Sequence, residues 1–177
     1  MKKPLVPPAF KVPQQLKAKR FLLRMLTIRD VDKDYDAVMS SIDHLKGVFG
    51  PYSSWPSKNL TREQDLIDLG WHQKEFQKRT SFAYTVMSPD ESQCLGCIYI
   101  YPSDKPEFDA ITFLWVRKSE LKNGLDEELF AAVKKWIKEK WPFKKTAYPG
   151  REISWSSWEK LRLQRKHAPD YNPKRKF

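Results

Sequence analysis

The chain has 177 residues, room for one ordinary domain, and its 40% hydrophobic and 14% aromatic content is enough to bury a real core, which excludes a chain disordered throughout. Lys and Arg outnumber Asp and Glu by 33 to 22, but the excess lies at the ends: residues 1–20 hold six bases and no acid, and residues 160–177 hold seven bases against Asp170. The stretch between them nets −1, so the sequence pI of about 9.6 says little about the middle of the chain.

Residues 1–19 set four prolines among lysines and read as a basic, proline-rich N-terminal arm, a composition that resists both helix and ladder pairing. Order is expected over 20–160, with 161–177 as a basic C-terminal tail. Residues 21–26 predict a first strand. Asp30 is placed to cap a helix in which Val31, Tyr35, Val38, Met39 and Ile42 recur at helical spacing. Residues 44–60, punctuated by Gly47, Gly50, Pro51 and Pro56, predict a loop. Thr61 and Gln64 have the spacing of a capping box, and Leu66, Leu69, Gln73 and Phe76 then mark one face of a second helix ending near Arg79. Strands are expected at 81–87, 94–101 and 110–116, the first two joined by a turn beginning at Pro89. The third is apolar on both faces and so predicted to be central in its sheet. Leu125, Leu129, Ala132, Val133, Trp136 and Ile137 define an amphipathic helix, acidic in its first turn, basic in its last, and stopped by Pro142. A short strand at 144–148 and a helix at 154–164 complete a mixed α/β sheet flanked by helices.

Six scattered glycines spell neither a dinucleotide fingerprint nor a P-loop. No G-x-S-x-G is present. Prolines 7, 8 and 13 interrupt any apolar stretch behind Met1-Lys2-Lys3, no run spans a membrane, and two cysteines give no disulfide framework, so a cytoplasmic location is expected. Cys94 and Cys97 form a C-x-x-C, but on a strand residues three apart point to opposite faces, and no second ligand pair has suitable spacing; no metal is expected. His44, His72 and His167 show no metal spacing, and His72 is expected on the surface of the second helix.

The order of elements, the aromatic loop between the first two helices, the strand ending Phe113-Leu114-Trp115-Val116 and Gly124 opening a helix together resemble the GCN5-related N-acetyltransferase superfamily over about residues 20–160. The resemblance implies the acyl-CoA N-acyltransferase fold and acetyl-CoA as co-substrate, without a metal. Leu114, Trp115 and Val116 would then offer backbone groups to the pantetheine arm. The family's Gln/Arg-x-x-Gly-x-Gly/Ala loop falls near Arg117, Lys122, Asn123, Gly124, Leu125 and Asp126, whose N–H groups would meet the diphosphate. Its central glycine matches Gly124, while Leu121 stands for the Gln/Arg and Asp126 for the small residue. Asp126, Glu127 and Glu128 set three carboxylates in the turn that would face the phosphates, with Arg117, Lys118 and Lys122 as compensating cations; Asn123 and Asp126 could otherwise simply cap a structural helix.

The family's usual glutamate base falls on Ala110, leaving Asp109 and Glu107 as the nearest carboxylates. Tyr148 stands where a tyrosine acid is expected, or is an ordinary half-buried tyrosine. Phe49, Tyr52 and Trp55 recur every third residue, as an acceptor wall or as aromatics closing the loop over the core. The implied activity is acetyl transfer to a primary amine of a small molecule or peptide. Two alternatives stand beside it: a ligand-binding or regulatory module that keeps the fold without turnover, and a nucleic-acid-associated protein acting through its basic tails. Residues 160–177 show no pattern for the two strands that usually close the sheet, so either a second subunit, as in a homodimer, supplies that wall or the acceptor site lies open.

Overall fold

The computed structural model describes residues 3–161; the basic stretch beyond, with His167 and the end of the last predicted helix, lies outside the described residues. Six strands pair in sequence order: β1 (Gln15–Lys17), β2 (Leu22–Met25), β3 (Phe82–Met87), β4 (Cys94–Pro102), β5 (Ala110–Val116) and β6 (Thr146–Ala147). Neighbours are antiparallel except β5 and β6, which run parallel. Every residue of β3 and β5 is buried, as expected for strands covered on both faces.

One face carries α4 (Leu125–Lys140), whose Leu125, Leu129, Val133 and Ile137 are fully or almost fully buried against Ile98, Leu114 and Val116. The other carries α1 (Val31–Met39), the short α2 (Ile42–Leu45), α3 (Arg62–Gln77) and α5 (Trp155–Lys160), packed on Cys97, Tyr99, Phe113 and Trp115. The capping box of α3 forms as predicted: the Gln64 N–H donates to Thr61 Oγ1 at 3.2 Å and the Thr61 N–H to Gln64 Oε1 at 2.9 Å. Asp30 does not cap α1 with its side chain. It ends a 3-10 turn and instead accepts from the Thr27 N–H at 2.9 Å and from Arg24 at 2.7 Å.

The described part of the arm joins the ladder that its composition argued against. Gln15, Leu16 and Lys17 follow the last proline of the arm and keep their N–H groups, so they pair with Arg24, Leu23 and Leu22. The preceding carbonyls are used as acceptors: Arg79 donates to Pro7 and Phe10, each at 2.7 Å, and the Tyr84 hydroxyl donates to Pro13 at 2.7 Å. Proline costs a donor and no acceptor, so these contacts suit it.

A bulge in β4 changes which side chains share a face. Val86 pairs with Gly96, but Met87 pairs with Cys94, leaving Leu95 as an extra residue. Leu95 therefore faces α4 beside Ile98, and Cys94 joins Cys97 on the α1 side. The expectation that the two sulfurs diverge is thereby corrected: one inserted residue turns an odd spacing into an even one. A glycine inside a strand pattern is the sequence signal for such a bulge.

Between the sheet and helices α1 and α3 lies a polar layer of the buried Asp34, Asp65, Cys94 and Cys97 with the half-buried Asp68 and His72. His72 is half-buried and turned toward the sheet instead of standing free on the helix surface; its ring lies 5.1 Å from that of the buried Tyr99, and burial pushes its pKa down to about 4. Burial also pushes Asp68 up to about 7, and burial together with the charges of Asp34 and Asp68 pushes Asp65 up to about 8. Such a carboxyl keeps its proton in the folded state and loses it on unfolding, so its contribution to stability is complete below pH 4 and is lost as pH rises toward 7 or 8. The melting temperature of Asp68→Asn is expected to exceed that of the parent by a few degrees at pH 8 and to match it near pH 4, in a thermal denaturation series across that range; a constant difference would contradict the buried-acid assignment.

Candidate active site

The parallel pairing of β5 with β6 lasts two residues, Ala110 with Thr146 and Ile111 with Ala147. Beyond it β5 continues to Val116, while the other chain turns away: the N–H groups of Arg151 and Glu152 both donate to the Tyr148 carbonyl, at 3.2 and 3.0 Å. Gly150 permits this turn, with φ of +78° and a virtual Cβ only 2.8 Å from Trp155 Nε1. The β5 edge at 112–115 is thus left facing a cleft of about 210 Å3. Its other walls are Asp126 at the start of α4, Gly150, Arg151 and Trp155 opposite β5, and His44, Gly47 and Val48 from α2 and its following loop.

The first turn of α4 reaches the same cleft at Asp126. Gly124 takes the left-handed conformation, φ +69°, and its own N–H turns back to the Leu121 carbonyl at 3.2 Å. The first helical bond runs from the Glu128 N–H to Gly124, and no side chain caps the helix, so Leu125, Asp126 and Glu127 present uncapped N–H groups. Asp126 is engaged by Arg151. Its two oxygens accept from the Arg151 guanidinium at 2.7 and 2.8 Å. The same guanidinium donates to the Leu114 carbonyl at 3.3 Å and lies 4.9 Å from the Phe130 ring, so Arg151 bridges the β5 edge and the helix start. Glu128 is paired with Arg20 at 2.8 Å, and Arg20 also donates to the Asn123 carbonyl at 3.0 Å. The negative charge of the turn is therefore largely offset, by Arg151 and Arg20. Arg117, expected to help, instead reaches Asp36 at 3.0 Å and the Cys94 carbonyl at 3.3 Å.

Of the other residues singled out from the sequence, Leu114 and Trp115 line the cleft, Val116 and Leu125 are wholly buried, and Asn123 donates to Glu120 at 3.4 Å. Lys122 is exposed. Asp109 Oδ2 accepts the N–H groups of Lys144 and Lys145 at 2.8 and 2.9 Å, fastening the start of β5 to the approach to β6. Tyr148 packs edge-on against Phe130 at 5.4 Å on the α4 side of the sheet, and burial followed by the charge of Glu152 pushes its pKa up. Phe49 tucks onto the sheet, 5.0 Å from Trp55 and 5.4 Å from Phe113, and Trp55 leans on Trp115; Tyr52 is 74% exposed.

Three cleft residues carry no motif: His44, Thr112 and Arg151. Thr112 Oγ1 is buried without a hydrogen-bond partner, an unfilled polar valence in the wall of the cleft. The Pro149-Gly150 pair was the available signal for the turn that delivers Arg151.

A mixed sheet whose fifth strand parts from a parallel sixth, with an uncapped helix start at the opening, is the fold of the GNAT acetyltransferases. Solved structures bear this out. A GnaT-family acetyltransferase structure from Bordetella pertussis superposes with a TM-score of 0.52 and 16% identity over 72% of this chain and 73% of that one. An acetyltransferase from Salmonella typhimurium, described as modifying the N-terminal serine of ribosomal protein L7/L12, gives 0.57 and 13% over 74% and 71%. RimL, a ribosomal L7/L12 α-N-protein acetyltransferase solved with coenzyme A, gives 0.56 and 14% over 70% and 67%. No protein-family model and no curated protein matches the sequence.

Proposed function

We propose that this chain is an acetyl-CoA-dependent N-acetyltransferase acting on a primary amine of a small molecule or peptide. The observation that carries the reading is the meeting at one cleft of the β5 edge beyond Ile111, whose Leu114 carbonyl is covered by Arg151, and the uncapped first turn of α4, which reaches the cleft at Asp126. The β5 edge would pair with the amides of the pantetheine arm, and the N–H groups of Leu125, Asp126 and Glu127 with the diphosphate. Arg151 would exchange Asp126 for a phosphate oxygen, widening the cleft as it leaves the Leu114 carbonyl. Thr112 offers its spare hydroxyl to the acyl end.

His44 is the imidazole in the cleft wall and is the base we assign for removing the proton of the attacking amine. Asp109 is less suited to that task, since its carboxylate holds two backbone N–H groups. The amine nitrogen then bonds to the thioester carbonyl carbon, the carbon–sulfur bond breaks, and the leaving thiolate takes up a proton. Tyr148 retains its proton at neutral pH, as a donor must, but its ring lies behind the cleft wall, on Phe130. The exposed Tyr52, on the loop after α2, would be free to meet the acceptor.

Calorimetry with acetyl-CoA, followed by a thiol-release assay on small amines and peptides, including N-terminal peptides of ribosomal proteins, tests the reading. Micromolar binding with turnover is expected. Folded protein that gives no heat rejects it, and binding without turnover on any amine leaves a binding module. Asp126→Asn should tighten acetyl-CoA by about five-fold, the equivalent of about 1 kcal/mol, because it removes a like charge and releases Arg151. Weaker binding by this variant would mean that the Asp126–Arg151 pair organises the cleft instead of guarding it.

A further inference from the structure

Independently of acyl transfer, we propose that Cys94, Cys97 and Asp34 form a buried site for a single thiophilic divalent ion, Zn2+, with Asp65, whose oxygens lie outside the 4.8 Å set of the other three, swinging in as the fourth ligand. The two sulfurs and an Asp34 oxygen all lie within 4.8 Å of one another, with Asp34 Oδ1 at 3.2 Å from Cys97 Sγ and 4.0 Å from Cys94 Sγ. Tetrahedral zinc with about 2.3 Å bonds to sulfur and about 2.0 Å to oxygen needs donor separations of roughly 3.5–3.8 Å, so the three groups need move by no more than about an ångström. All three residues are buried to 4% exposure or less. They come from two elements, α1 and the bulge of β4, and the register shift at Leu95 is what sets them on one face.

Asp65 supplies the independent observation. It is 4% exposed, belongs to α3, which packs on α1, lies near enough to Asp34 to feel its charge, and its Oδ2 is buried without any hydrogen-bond partner. An unpartnered buried carboxylate is costly in an apolar interior and is retained where a cation answers it. Thiolate donors favour zinc over magnesium or calcium. The surroundings are suited to holding such a set. Thr85 Oγ1 lies 3.6 Å from Cys94 Sγ, and the buried Arg117 guanidinium donates to the Cys94 carbonyl, placing a positive charge beside a site that would otherwise carry excess negative charge. Binding displaces to solvent the two thiol protons and the protons that the buried Asp34 and Asp65 carboxyls carry, so that sulfur meets the ion as thiolate and oxygen as carboxylate.

The test uses the full chain, reduced and stripped with a chelator, and titrates it with Co2+ as a coloured substitute. One equivalent should bind, with a thiolate-to-cobalt charge-transfer band that Zn2+ then abolishes, and Zn2+ should raise the melting temperature over that in chelator. Cys94→Ser/Cys97→Ser should lose the band, and Asp65→Asn should keep it while weakening affinity at least ten-fold. Should the double variant fail to fold, Asp65→Asn and zinc analysis of the freshly purified protein still decide. The proposal is overturned by folded parent protein that gives no band at one equivalent, by a band that persists without the cysteines, by Asp65→Asn with unchanged affinity, or by thiols that oxidise to a disulfide and take up no metal.

Discussion

Gly96→Ala is expected to destabilise the protein by at least about 4 kcal/mol, enough to unfold much of it at 37 °C given the about 5–15 kcal/mol that holds an ordinary domain together. A Cβ at this position would lie 2.0 Å from the Trp115 carbonyl oxygen and 2.9 Å from the Val116 Cα. Both are backbone atoms of the neighbouring strand, so no side-chain rotation relieves the overlap; β4 and β5 would have to part where both are buried. Gly124→Ala provides the contrast. Its Cβ meets nothing closer than Glu127 Oε2 at 3.9 Å, leaving only the strain of a left-handed backbone, about 1 kcal/mol. Urea denaturation of both variants measures the difference. If Gly96→Ala melted within a degree or two of the parent, the bulged register of β4 would have to be wrong.

Arg151→Glu should weaken acetyl-CoA binding by about 100-fold. The parent arginine is held by Asp126 and the Leu114 carbonyl at the cleft mouth, within reach of where a diphosphate would sit on α4. Losing a charge-assisted bond is worth about 1.5–3 kcal/mol, and a second carboxylate beside Asp126 adds repulsion of about 1 kcal/mol. Stability should change little, because the pair is partly solvated, Arg151 being 25% and Asp126 21% exposed. Arg151→Lys should fall between, since an ammonium keeps the charge but not the two-pronged geometry. Calorimetry on the three proteins separates these outcomes, and equal affinity for parent and Arg151→Glu would remove Arg151 from the binding path.

Residue patterns made α4, the α3 capping box and the three long strands legible before any fold was known. Each depends on contacts within four or five residues: the spacing of Leu125, Leu129 and Val133, the exchange between Thr61 and Gln64, and the apolar run of β5, interrupted only by Thr112. Gly124 was legible as the glycine at the start of α4, but its left-handed conformation and the 3-10 turn before it were not. The cleft was legible only in part. Leu114, Trp115, Gly124 and Asp126 stood in the chain where a loop pattern could find them, whereas His44, Thr112 and Arg151 reach it from other elements and carry no local mark.

Local chemistry therefore determined the elements of this protein, their ends and the kind of sheet they build, because helix periodicity, capping and strand apolarity are settled between near neighbours along the chain. The tertiary structure alone decided that Cys94 and Cys97 share a face, that His72 points inward, that the proline-rich arm contributes an edge strand, and that Arg151 closes on Asp126. These outcomes depend on register between strands and on the meeting of side chains as far apart as Asp34 and Cys97. Such meetings are fixed by which close-packed arrangement leaves fewest buried polar groups unpaired, a property of the folded whole that no stretch of the chain carries by itself.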